Sequence, residues 1–185
     1  MRTPITAVVL FLFWLAPIVA PGLPGSDARA EDAWETFTSE EAHFTVAMPK
    51  QPVKTETQQE SFIGTVTNHI FTAETGQNRY TVDASDIPHF ALHFAGAETI
   101  YDHAKGALLK KTFSKPTSYT DVTVSGAPAK RLVYDTPPAP GNPPMRGDAI
   151  LVLIGTRLYV IDAVLLETEA DTSSERFLSS FKPTK

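Results

Sequence analysis

The 185-residue sequence contains no cysteine. That absence excludes a disulfide framework, a thiolate metal centre, an iron–sulfur site and a cysteine nucleophile. It also leaves no thioether on which a lipid anchor could be built. No run of Lys and Arg occurs either. With 16 basic against 21 acidic side chains the formal net charge is −5, the wrong sign for a phosphate backbone, so no nucleic-acid partner is expected. The short motifs that announce chemistry are missing as well. There is no G-x-S-x-G elbow, no P-loop, no EF-hand loop and no G-x-G-x-x-G fingerprint. What is present is apolar: 42% of the residues are hydrophobic, too many for a disordered chain.

One long apolar run stands near the start. Ile5 to Ala20 carries no charge, follows Arg2, and is closed by Pro21, Gly22, Pro24 and Gly25. Ala28-Arg29-Ala30 then offers a small-x-small cleavage pattern. This organisation predicts a secretory signal peptide over 1–30, cleaved after Ala30. A bilayer span needs about 20 apolar residues; this run is shorter and contains Pro17, so no transmembrane span is expected after cleavage. The expected location is the periplasm or the exterior, and residues 31–185 are expected to fold there as one domain.

Strand signals dominate that domain. His43 to Met48 alternates, with Phe44, Val46 and Met48 on one face. Val53 to Gln59 is polar and reads as an edge strand. Gly64 to Ala73 is long and β-branched, and Arg79 to Ala84 alternates with Tyr80, Val82 and Ala84 inward. Ser118 to Val124 and Ala129 to Asp135 flank a tight-turn signal at Ser125-Gly126. Ala149 to Ile154 and Leu158 to Leu166 are almost continuously apolar, which predicts central strands covered on both faces. Two segments have a helical period: Ala97, Ile100, Tyr101, Ala104, Ala107 and Leu108, and then Ser174, Phe177, Leu178 and Phe181. Thr172-Ser173-Ser174-Glu175 has the form of a capping box for the second. The expected fold is α+β, a single largely antiparallel sheet of about seven strands flanked by helices. Residues 136–145 (TPPAPGNPPM) hold five prolines and read as a stiff loop joining two strands, with partner docking as its sharper alternative.

Several of these stretches are similar to a known family. Phe37-Thr38-Ser39-Glu40-Glu41 with Phe44-Thr45-Val46 and Met48-Pro49, then Gly64-Thr65-Val66-Thr67 with Phe71, then Tyr80-Thr81-Val82 running into Ser85-Asp86-Ile87-Pro88, resemble small exported bacterial proteins with a PsbP-like domain. Gly126, Pro128, Arg131 and Tyr134, Arg157-Leu158-Tyr159, and Arg176-Phe177-Leu178 with Ser180-Phe181 continue the likeness over nearly all of 31–185. The resemblance implies a PsbP/Mog-like α/β/α sandwich used as a non-catalytic interaction or assembly module, with no shared catalytic residues. The Pro-rich loop and Pro88 to Ala95 depart from it.

Candidate sites are few. Asp86, His89 and His93 form D-x2-H-x3-H; on a helix starting near Pro88 the two imidazoles share a face and could chelate a divalent metal with Asp86. The set lacks a fourth ligand, and Phe90 and Phe94 are expected to turn inward beside it. Asp162 interrupts an apolar strand on the face of Leu158, Val160 and Val164, so it needs a partner, with Arg131 and Arg146 as candidates, or a pocket. His43, His69 and His103 are scattered. Arg146-Gly147-Asp148 is an adhesion tripeptide of the kind that arises by chance. No catalytic, cofactor or metal residue is assigned. The expected function is that of a non-catalytic exported domain that meets a protein partner or a small ligand. The alternatives are metal binding through His89 and His93 and a small hydrolase built around Asp162. Intact mass of the exported protein is expected to show Glu31 as its first residue; a mass that retains 1–30 would overturn the cleavage.

Overall fold

Alternation and tight turns build most of the chain. The computed structural model describes residues 34–184 apart from 62–63, 139–142 and 169; the segment read as a signal peptide lies outside them. Ten strands and two helices follow in order. They are β1 (Glu35–Ser39), β2 (Phe44–Met48), β3 (Val53–Ser61), β4 (Gly64–Thr75), β5 (Asn78–Asp86), α1 (His89–Thr112), β6 (Lys115–Val124), β7 (Ala127–Thr136), β8 (Met145–Ile154), β9 (Arg157–Leu166), α2 (Ala170–Ser180) and β10 (Lys182–Pro183).

Seven strands form one antiparallel sheet in the order β3-β4-β5-β9-β8-β7-β6. The apolar strands β8 and β9 lie inside it, as their composition requires, and β9 is central. The Ser125-Gly126 turn joins β6 to β7 with both residues at positive φ, 49° and 85°, which suits the twist of a two-residue hairpin. The Pro-rich segment joins β7 to β8, whose ends pair Thr136 with Met145; its residues 139–142 lie outside the described set. The strand read over His43 to Met48 is absent from this sheet. As β2 it sits between β1 and β10 in a separate three-stranded sheet, with Phe44, Val46 and Met48 fully buried on one face.

The large sheet separates two cores. On one face Tyr80, Val82, Tyr159, Ile161, Ala163 and Leu165 pack against α2 and the small sheet. On the other Leu132, Tyr134, Ala149, Leu151 and Leu158 pack under α1. Successive strand residues point to opposite faces, so β7, β8 and β9 contribute to both cores. Among the described residues no helix is long and apolar enough to cross a membrane.

Helix α2 starts earlier than its sequence suggests, and α1 starts after Pro88 as read. Helix α2 begins at Ala170, which is drawn into the core at 4% exposure. The Thr172–Glu175 capping box is therefore inside the helix, where the Ser174 hydroxyl donates to the Ala170 carbonyl. The Phe177, Leu178 and Phe181 stripe is buried as read. Helix α1 runs from His89, but Gly96, at φ 72° and ψ 161°, breaks it. The apolar stripe legible from Ala97 onward is the part beyond this break.

One close approach fixes the α1 side of the sheet. Tyr134 pairs across the ladder with Gly147, and its ring lies flat on that glycine, so a methyl group there would overlap the ring. The Tyr134 hydroxyl then reaches Asp162 Oδ1 at 2.8 Å. Gly147→Ala is expected to destabilise the fold by about 1–3 kcal/mol through overpacking, and Tyr134→Phe by about 1–3 kcal/mol through the stranded carboxyl. Urea denaturation of each variant checks both values.

Candidate functional site

Helix α1 is tied to one half of the sheet. The Tyr101 hydroxyl donates to the Pro128 carbonyl at 2.9 Å and accepts the Leu153 N–H at 3.0 Å. Lys130 on β7 reaches Glu98 of the helix at 3.0 Å and Asp121 at 2.6 Å. These contacts seat α1 over β7 and β8. Over β3, β4, β5 and β9 the helix stands off the sheet and leaves a cavity of about 650 Å³.

The cavity has two unlike surfaces. Its helix wall is apolar, built from Ile100, Ala104, Ala107 and Leu108, with His103 and Lys111 beside them. Its floor is mostly polar. The residues of β5 that face α1 are Arg79, Thr81, Asp83 and Ser85, and β4 adds Asn68, Thr72 and Glu74. Beyond the strand, Ile87 joins Val66 and Leu158 in an apolar end. Strand alternation explains the arrangement: Tyr80, Val82 and Ala84 face the opposite core, so their polar neighbours must face α1.

Two carboxyls stand on this floor. Thr81 pairs with Asp162 and Asp83 with Val160 across the β5–β9 ladder, which makes Asp83 and Asp162 diagonal neighbours, roughly 7–8 Å apart along the backbone. The Ser85 hydroxyl donates to Asn68 Oδ1 at 2.7 Å and lies 3.3 Å from Asp83 Oδ1. Burial pushes the Asp83 carboxyl up to about 6, against the pull of Ser85 and Lys111. Burial likewise pushes Asp162 up to about 6, opposed by the Tyr134 hydroxyl and by the charges of Arg79 and Lys111. Asp162 is 5% exposed.

The structure gathers some of the residues singled out in the sequence and scatters others. Asp162 does line a pocket, but its partner is Tyr134 and not Arg131 or Arg146. Arg131 is on the other face of the sheet, where it makes a two-pronged pair with Asp148 at 2.9 and 2.6 Å and reaches Glu175 of α2 at 2.9 Å. Arg146 shares the parity of Asp148 on β8 and so stands on that same face. The tripeptide at 146–148 is not presented for adhesion: Gly147 lies under Tyr134 and Asp148 is held by Arg131. His89 and His93 are exposed on α1. Asp86 points to the opposite face of the sheet, where Arg157 Nε donates to it at 2.6 Å. Among the described residues no three His, Asp or Glu side chains gather where a metal could bind. Phe90 and Phe94 do not turn inward but are 57% and 84% exposed. The break at Gly96 rotates their segment off the buried face, and Ala91 and Leu92 pack there instead.

The two acids predict a pH dependence. Such carboxyls titrate near 4 in an unfolded chain. Between there and about 6 the folded protein holds more protons than the unfolded one, so stability is full below pH 4 and declines as the pH rises through 6. Asp83→Asn is expected to raise the stability at pH 8 by about 1–2 kcal/mol and to leave it nearly unchanged at pH 4. Urea midpoints at the two pH values check the sign.

No family model matches the chain, and no curated protein matches it. Solved structures do. A cyanobacterial PsbP (CyanoP) from Synechocystis sp. PCC 6803, determined in solution, superimposes with a TM-score of 0.56 at 14% identity, over 80% of this chain and 91% of that one. A crystal structure from Bacteroides thetaiotaomicron gives a TM-score of 0.50 at 10% identity, over 82% of this chain and 49% of its own. At such identities the likeness is one of fold, and the fold of this chain is PsbP-like.

Proposed function

We propose that the chain is an exported, non-catalytic domain that binds a small amphipathic ligand between α1 and the sheet. The cavity carries this reading. Its volume of about 650 Å³ falls in the range of small-molecule sites, which are largely apolar with a few placed polar groups. Here the helix supplies the apolar wall and β5 the polar groups. Among the described residues none of the lining comes from the Pro-rich loop, so the reading places the ligand away from the described part of that loop. The n-, h- and c-regions over 1–30 support export, and a chain without cysteine suits an oxidising compartment.

The lining also bears on catalysis. Ser85 is its one serine, and the hydroxyl is directed to Asn68 and Asp83 and not to a histidine. That arrangement lacks the base which activates a serine nucleophile. A second reading, an acid–base hydrolase, is favoured by the two carboxyls held near 6.

Octanol is a suitable first probe, because it matches the cavity's two surfaces without carrying charge. At about 100 times its Kd a ligand stabilises by roughly 2.7 kcal/mol, which is an increase of about 5–10 °C in the unfolding midpoint of a domain this size. Ala107→Trp, on the exposed side of α1 but facing the cavity, is expected to abolish that increase while the free protein unfolds at an unchanged or higher temperature. An equal increase in the variant would overturn the site, and turnover of an ester or glycoside panel lost in Asp83→Asn would favour the hydrolase.

A further inference from the structure

The cavity's acids differ from the other acids that the fold buries or half-buries. Asp86 and Asp148 each hold an arginine, Arg157 and Arg131 respectively. Among the described residues Asp83 and Asp162 have only hydroxyl partners, Ser85 and Tyr134, and no ion pair. The Ser85 hydroxyl has a single proton and lies closer to Asn68, so Asp83 is left short of donors. The charged groups facing the pair are Glu74 from β4, Arg79 from β5, and His103 and Lys111 from α1. The carboxyls therefore form an acceptor-rich spot facing a helix wall that is apolar at Ile100, Ala104, Ala107 and Leu108, with His103 and Lys111 beside these.

Resting on the cavity reading, we propose that the ligand carries a protonated amine on a short apolar body. The ammonium group sits between Asp83 on β5 and Asn68 on β4, with Asp162 across β5 on the neighbouring strand. Its three donors supply what this floor lacks, and a charge-assisted bond to a shielded carboxylate is stronger than a neutral one. The body runs along β5 toward Val66, Ile87 and Leu158. Ile87 lies four residues beyond Asp83, roughly 13 Å along an extended chain, which is enough for an alkyl chain of about eight carbons. A primary alkylamine meets both demands. Ligand binding also gives a role to carboxyls that folding alone would replace or pair, since burying them unpaired costs stability.

Calorimetric titration of the exported protein with octylamine, octanol and octanoate at pH 7.5 tests the assignment. Octylamine is expected to bind most tightly. Asp83→Asn should weaken it by ~10–100-fold and leave octanol unchanged, and Ala107→Trp should abolish both. Equal affinities for octylamine and octanol, unaltered in Asp83→Asn, would overturn the amine head while leaving the cavity as a site. Preference for octanoate would overturn it in favour of an anion held by Arg79 and Lys111. Failure of all three ligands to bind would remove the cavity reading itself.

Discussion

A single helix cannot cover seven strands. Strands about 4.8 Å apart make a sheet roughly 29 Å across, and a helix with its side chains is about 10 Å wide. The two faces of this sheet meet that limit differently. On one, α2 and the three-stranded sheet together close the surface, with Phe44 at the centre of an aromatic cluster that includes Phe37, Phe71, Tyr159 and Phe181. On the other, Tyr101 and Lys130 hold α1 over β7 and β8, and over the β3–β5 half the helix stands off most of the sheet. The cavity is what this mismatch in width leaves behind.

Chemistry follows from that geometry through β5. The strand is central enough to need an apolar face, and Tyr80, Val82 and Ala84 supply it. Its other face lies under a helix that does not reach it, so Arg79, Thr81, Asp83 and Ser85 need not be apolar. Asp162, on the neighbouring strand, extends the same polar floor. Its position depends on a longer chain of cause: Gly147 has no side chain, so Tyr134 can lie flat, and the tyrosine hydroxyl then reaches the acid. A small residue on β8 thereby positions a carboxyl on β9.

Local periodicity made much of the fold readable. The alternation of Phe44, Val46 and Met48, the two-sided apolar content of β8 and β9, and the Phe177–Phe181 stripe each state a burial pattern that the structure repeats. Strand partners are not written locally. Nothing in Phe44–Met48 says that it leaves the main sheet for β1 and β10, and nothing near Asp162 says that Tyr134 faces it while Arg131 does not. One residue of parity decides that, and parity between strands depends on register. The site was half legible. Asp162 stands out as a charge in an apolar run, whereas the polar residues of β5 look like the solvent face of a half-exposed strand. They become a site only once β5 is known to lie inside the sheet beneath α1. Gly96 carried a signal for the break in α1, since a glycine inside a helical run costs about 1 kcal/mol against alanine. It separates Phe90 and Phe94 from the stripe that begins at Ala97.

The two faces also use charge in different ways. Toward α2, acids and arginines are matched: Arg131 joins Asp148 and Glu175 across three elements, and Arg157 joins Asp86 while also donating to the Glu41 carbonyl. Toward α1, the acids face hydroxyls, and Arg79 stays out of ion-pair contact with them. Both patterns occur on β5, where Asp86 is paired and Asp83, three residues earlier and on the other face, is not. Composition therefore does not explain the difference, because the same strand and the same residue type give both results. Burial of an unpaired carboxylate opposes folding, and this chain pairs such groups wherever the face is closed. The unpaired acids occur where the sheet borders the cavity, which is the distribution expected if their partner comes from outside the chain.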